Sequence, residues 1–129
     1  MKRFMITGVL VIAVLAYASA VWAQIQTIEL QTLGGSESNV YAVNDAGLSV
    51  GWATTSGGVN HAVRWDKYGH VFDLAAFLPA TITAVSSSAI GINNLGQVIG
   101  NYTDSAGYQR AFVWTQEGGM QDLGTLACA

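Results

Sequence analysis

The sequence predicts an all-β protein made of two copies of one four-stranded antiparallel unit. Three observations predict it. Asn44, Gly47, Val50, Gly51, Ala62, Trp65, Gly69, Asp73 and Leu74 are answered 49 positions later by Asn93, Gly96, Ile99, Gly100, Ala111, Trp114, Gly118, Asp122 and Leu123, without a gap. Inside each copy, tetrads ending in Gly step by 11 residues. Between the tetrads, apolar residues alternate with small or polar ones, the period of a strand. Units of about 40–50 residues with four strands are propeller-blade-like, and a small two-sheet β-sandwich is the alternative.

The chain opens with a different kind of segment. Lys2 and Arg3 precede an apolar run from Phe4 to Ala18, and the small residues Val21 and Ala23 stand at −3 and −1 of a cleavage site. This order reads as a helical signal peptide of the Sec type over residues 1–23, leaving Gln24 first. Cleavage after Ala20 is the alternative. If retained, the uncharged run from Phe4 to Gln24 is long enough to anchor in a membrane. Residues 24–129 then form a single all-β repeat domain, secreted or held in the periplasm or at the cell surface. Repeat 1 covers about 33–77 and repeat 2 about 82–126.

The first tetrads are Asn44–Gly47, Thr55–Gly58 and Asp66–Gly69, matched by Asn93–Gly96, Asp104–Gly107 and Thr115–Gly118. An Asn, Asp or Thr at the start can accept from the backbone two residues on. A Gly at the end supplies positive φ, so each tetrad predicts a hairpin turn. The intervening strands of repeat 1 are Val40–Val43, Leu48–Ala53, His61–Trp65 and Val71–Leu74. Leu48, Val50 and Trp52 share one face of the second, and Ser49, Gly51 and Ala53 the other. Ile25–Leu30 reads as an extra strand, because Ile28-Glu29-Leu30 resembles Phe72-Asp73-Leu74 and Gln121-Asp122-Leu123. Pro79 falls in the connection between repeats, where residues 75–85 hold a five-residue insertion. Trp65 and Trp114 recur, and are expected to pack between the sheets.

Composition restricts the function. Charged residues are only 10% of the chain, so the surface is covered chiefly by Ser, Thr, Gly, Asn and Gln. Beyond the signal segment the cations are Arg64, Lys67 and Arg110, against eight carboxylates. That balance excludes an electrostatic footprint for nucleic acid or an anionic membrane surface. Cys128 is the one cysteine and reads as an exposed thiol on the tail, or an intermolecular partner.

Candidate chemistry is sparse. His61 and His70 have no counterparts in the second copy, and a structural zinc site needs about four ligands; no metal and no cofactor are expected. Asp73 and Asp122 are equivalent carboxylates that a glycosidase could use across a cleft. Their place at the end of each unit points instead to a bond with a nearby backbone N–H. Asp104 with Ser105 and Gly107, and Asp45 with Asn44, faintly resemble calcium loops but lack the full spacing. Asn101-Tyr102-Thr103 fits a glycosylation sequon. Gly34-Gly35 and Gly118-Gly119 are turn glycines, since no helix follows them to cradle a phosphate. The candidate binding aromatics are Trp52, Tyr68, Tyr102 and Tyr108. They do not recur as aromatics and fall near strand ends or loops, where a ring can stack on a sugar or a protein partner.

Several of these segments together are similar to a known family. Leu33-Gly34-Gly35, Val43–Gly47, Val50-Gly51, His61–Trp65, Asp73-Leu74, Ile92–Gly100, Arg110–Trp114 and Asp122–Leu126 resemble the HAF family of extracellular repeats. The family's His-Ala-Phe triplet stands here as His61-Ala62-Val63 and Arg110-Ala111-Phe112. The resemblance covers residues 33–126. It implies an exported bacterial repeat protein with propeller-like strands, and no established activity.

The expected function is therefore a non-catalytic binding or assembly role outside the cytoplasm. The expected partners are another copy of the chain, a cell-surface protein or a glycan; nucleic acid is not among them, and a membrane only if the signal segment is retained. The alternatives are a carbohydrate-active enzyme fragment using Asp73 or Asp122, and a truncated repeat protein without independent function.

Overall fold

A computed structural model describes residues 26–124. The signal-peptide assignment and Cys128 lie outside the described residues. The described chain forms two four-stranded antiparallel sheets in meander order. Sheet A holds β1 (Gly34–Val43), β2 (Ser49–Thr55), β3 (Asn60–Trp65) and β4 (Val71–Asp73). Sheet B holds β5 (Ala84–Ile92), β6 (Val98–Asp104), β7 (Gln109–Thr115) and β8 (Gly119–Asp122). The sheets stack face to face in a sandwich-like arrangement, and no helix occurs among the described residues.

The turns form for the reason the tetrads suggest. The side-chain Oδ1 of Asn44 accepts from the N–H groups of Ala46 and Leu48, at 3.1 and 3.0 Å. Asn93 repeats this with Leu95 and Gln97, and Asp66 and Asp104 do the same in their own turns. Each turn closes through a Gly with φ near +80 to +90° at Gly47, Gly58, Gly69, Gly96 and Gly107. The sixth turn differs. Its left-handed residue is Gly119 rather than Gly118, because Gly118 donates instead to the Thr115 hydroxyl at 2.9 Å.

The mid-strand glycines Gly51 and Gly100 recur for another reason. Both sit opposite a β-bulge, at Val40/Ala42 in sheet A and Ala89/Gly91 in sheet B. The bulge presses the edge strand close, so a Cβ on Gly51 would strike the carbonyl of Asn39, and one on Gly100 the carbonyl of Ser88.

Each sheet has a front face and a back face. Val50, Ala62 and Leu74 lie on the front of sheet A, as their register with Trp52, Arg64 and Phe72 requires. Tyr102, Phe112, Trp114 and Met120 lie on the back of sheet B. These two sets pack together as the main core, with Ile82 and Ala89. At such sites each large apolar side chain contributes about 1.5–3 kcal/mol. β5 runs across β1, β2 and β3 and makes the closest approach between sheets. Ser87 on β5 accepts from the Ala62 N–H at 2.8 Å. At the turn end, Asn44 Nδ2 donates to the Asn93 carbonyl, and Asp45 and Asn94 exchange two hydrogen bonds of 2.9 Å.

Two sequence expectations need correction. Trp114 packs between the sheets, but Trp65 does not. It lies on the back of sheet A with Ala53 and Val63, under Leu30 and Leu33. The segment that covers it is not a strand either: residues 26–32 carry no strand pairing. They cross the β3–β4 turn instead, held by Gln31 N–H to Gly69 O at 3.0 Å and by Trp65 Nε1 to Gln31 O at 2.7 Å. Gly69 is free of a side chain because the Glu29 carbonyl occupies that space.

Gly51→Ala is expected to destabilise the chain by about 1–3 kcal/mol, since the bulged strand must move away from the new methyl. Gly58→Ala, at an exposed turn with nothing near its Cβ, is expected to cost only the left-handed penalty of about 1–2 kcal/mol. Urea midpoints of the two variants, with the slope of the transition, check both.

Candidate functional site

The duplication makes an internal control of every position. A residue on the front of sheet A and its partner 49 positions on occupy the same place in the same unit. Their surroundings differ. Val50 is fully buried, and Ile99 is 49% exposed. Ala62 is fully buried, and Ala111 is exposed. Leu74 is 2% exposed, and Leu123 is 58% exposed. Sheet B covers these positions in the first unit; among the described residues nothing covers them in the second. The front of sheet B is thus an apolar strip of Ile99, Ala111, Val113 and Leu123, interrupted by Asn101 and Gln121. The polar part of the internal joint is also open there. Ala62 N–H meets Ser87, but its counterpart, Ala111 N–H, has no acceptor among the described residues.

The candidate aromatics are not brought together. Tyr102 is a core residue, 2% exposed, where the sequence placed it near the surface. Its hydroxyl donates to Asp122 Oδ2 at 2.8 Å, and no ring face is left for a sugar. Its counterpart in the first copy is Ala53, so the repeat carried no sign of this. Tyr68 is exposed in the β3–β4 turn, with the Lys67 ammonium 5.1 Å from its ring. Tyr108 is exposed in the β6–β7 turn, at the opposite end of the sheets. Trp52 is half-buried, and its Nε1 donates to the Tyr41 hydroxyl at 3.3 Å. Sequence reasoning passed over Tyr41, which also borders a cleft of about 280 Å³ with Asn60, Ser88, Asn101, Tyr102 and Gln109. All of these groups are neutral. Tyr41 has the aliphatic Ile90 as its counterpart, so only the contact with Trp52 distinguishes it.

The carboxylates are engaged in the fold. Asp73 Oδ1 accepts from the Ala75 N–H at 2.9 Å, and Asp122 Oδ1 from the Gly124 N–H at 2.8 Å. Their second oxygens go to His61 and to Tyr102. Asp104 accepts from Arg110 Nε at 2.6 Å, and Asp66 pairs with His70. Among the described residues no group of three or more His, Cys, Asp or Glu is arranged to hold a metal ion. Arg64 lies between the Phe72 and Trp114 rings, 5.2 and 5.0 Å from their centroids, and tethers β4 to the interface.

These contacts set protonation. The Arg110 guanidinium holds Asp104 below the usual carboxylate range, helped by the Tyr108 N–H. The Gly124 N–H, then the Tyr102 hydroxyl, hold Asp122 below it too. Burial pushes the Tyr102 phenol up, and the Asp122 hydrogen bond adds to this.

A carboxylate with a lowered folded pKa binds fewer protons folded than unfolded. Its stabilisation is complete above the unfolded pKa, about 3.9, and is lost as pH falls through the folded value. Stability is therefore expected to decline below about pH 4, and the decline should shrink in Asp122→Ala. That variant also strands the buried Tyr102 hydroxyl and is expected to lose about 1–3 kcal/mol at neutral pH. Urea midpoints measured between neutral and acidic pH check both effects.

No protein-family model, no curated protein and no solved structure matches the chain, so its function is read from the geometry.

Proposed function

We propose that the chain is an exported, non-catalytic interaction module that docks a protein partner on the bare front face of sheet B. One observation carries this reading: equivalent residues are buried at Val50, Ala62 and Leu74 and exposed at Ile99, Ala111 and Leu123. A unit that keeps an apolar residue at these three positions in both copies is shaped to be covered there in both. Exposed apolar strips rimmed by polar residues mark interaction surfaces. The engagement of Asp73 and Asp122 in turn and core contacts favours a structural role for them over the alternative glycosidase role. The signal-like N-terminus and the resemblance to extracellular repeats support export.

The neutral cleft beside Tyr41 favours a second reading, a small uncharged ligand such as a sugar. In that case Asn60→Ala, on sheet A and away from the front of sheet B, weakens binding of neutral oligosaccharides, measured by titration calorimetry, and leaves partner docking intact.

Hydroxyl-radical footprinting tests the docking reading. In the dilute purified chain, Ile99 and Leu123 are expected to be labelled as solvent-exposed side chains, and Val50 to be protected. In the chain labelled on or around the cells that export it, Ile99 and Leu123 are expected to be protected as well. Equal labelling in the two settings overturns the reading. Ile99→Asp is expected to change stability by no more than about 0.5 kcal/mol, as at an ordinary surface site. Val50→Asp, which buries an unpaired charge, is expected to prevent folding.

A further inference from the structure

We infer that the partner on the front of sheet B is a second copy of this chain, joined head to tail; the inference rests on the docking role proposed above. The internal joint between the sheets supplies the template, because it is a contact between one unit and the next. Its two sides are the front of a unit and the first strand of its successor. The front recurs uncovered in sheet B among the described residues, and the first strand recurs exposed at β1, while Leu30 and Leu33 cover the rest of the back of sheet A. The front of sheet B is bare among the described residues. At the other end, β1 occupies in sheet A the place that β5 occupies in sheet B. β5 is covered at Ser87 and Ala89, while their counterparts on β1, Ser38 and Val40, are exposed, Val40 by 39%.

Shifting the template by one unit pairs these ends residue by residue. Ser38 of the second copy stands where Ser87 does, within reach of the Ala111 N–H, which has no acceptor among the described residues. Val40 of the second copy stands where Ala89 does, over Ile99 and Ala111. Asn93 takes the place of Asn44 and donates to the Asn44 carbonyl of the second copy. Asn94 takes the place of Asp45, and its N–H donates to the Asp45 carboxylate of the second copy. Among the described residues that carboxylate uses only Oδ2, which leaves Oδ1 to accept.

One position is contested. Leu30 covers Trp65 on the back of sheet A, much as Leu74 serves the main core. In the joined pair, Leu123 of the first copy arrives where Leu30 of the second lies. Residues 26–30 of the second copy therefore shift aside, while Leu33, the counterpart of Ile82, stays. An interface that joins two different surfaces is heterologous, so it continues into a ring or a filament rather than stopping at a two-fold dimer.

Sedimentation of the exported full chain, alone and in mixtures, tests this. The wild type is expected to grow with concentration beyond a dimer. Ile99→Asp blocks one end and Val40→Asp the other, and each alone is expected to sediment as a monomer. Mixed one to one, they retain a single intact joint and are expected to give a heterodimer and nothing larger. Ser38→Ala, a mild change at an exposed site, is expected to weaken assembly at least several-fold while the circular dichroism spectrum stays native. Dimers formed by Val40→Asp alone would show a two-fold front-to-front contact and overturn the head-to-tail joint. A wild type that stays monomeric at the highest concentration overturns the second copy as partner. In both cases the footprinting result decides separately whether the face docks anything.

Discussion

The contact of β5 with the front of sheet A is the interaction on which the rest of this molecule depends. A single repeat unit cannot bury its hydrophobic face alone. By lying across β1, β2 and β3, β5 brings Phe112, Trp114 and Met120 onto Val50, Ala62 and Leu74 and makes one core from two half-cores. The polar contacts at its margins, Ala62 to Ser87 and the paired turns at Asn44–Asp45 and Asn93–Asn94, fix how far one sheet slides or turns against the other. Their net strength is modest, about 1 kcal/mol each. Their value is positional, since apolar packing alone is non-directional.

The same contact breaks the equivalence of two nearly equivalent units. Sheet A is covered on its front by sheet B and on its back by residues 30–33, and accordingly Val50, Ala53, Ala62, Val63 and Trp65 are all fully buried. Among the described residues sheet B is covered on one face only, and its strand β6 alternates strictly between buried and exposed or half-buried positions. One sequence pattern thus yields a two-sided sheet and a one-sided sheet. Position in the stack covers the first front, and composition follows it: Trp52 and Phe72 on the covered front are replaced by Asn101 and Gln121 on the other.

Much of this was legible in the residues. The tetrads specified turns because an Asx side chain and a glycine act within four residues, and the structure places a hairpin at every one. Strand existence followed from period two, although β1 extends back to Gly34, beyond the Val40–Val43 core of apolar residues. What depended on packing between distant elements was not legible. Gly51 and Gly100 recur because a bulge on another strand leaves no room for a methyl. Tyr102 looked like a surface aromatic because its counterpart is Ala53; its burial follows from facing sheet A and from the Asp122 acceptor 20 residues away. Residues 26–32 resembled a strand-ending sequence, yet the β3–β4 turn accepts them as an unpaired strap. Trp65 and Trp114 share a sequence position and a buried fate but have different neighbours, which no repeat pattern can reveal. The uncovered face was implicit in the 49-residue register all along, but it emerged only when equivalent positions were compared for exposure.

The order of the two sheets along the chain has a consequence for synthesis. Sheet A is complete in sequence by Leu74, whereas Leu123, the matching end of sheet B, follows 49 residues later. At roughly 5–20 residues per second, this leaves an interval of roughly 2–10 s. During it Val50, Ala62 and Leu74 wait for β5 and its neighbours, and the first unit has no second half-core to pack on. A nascent chain in that state offers a sticky surface to anything nearby, including the same sheet on an adjacent nascent chain.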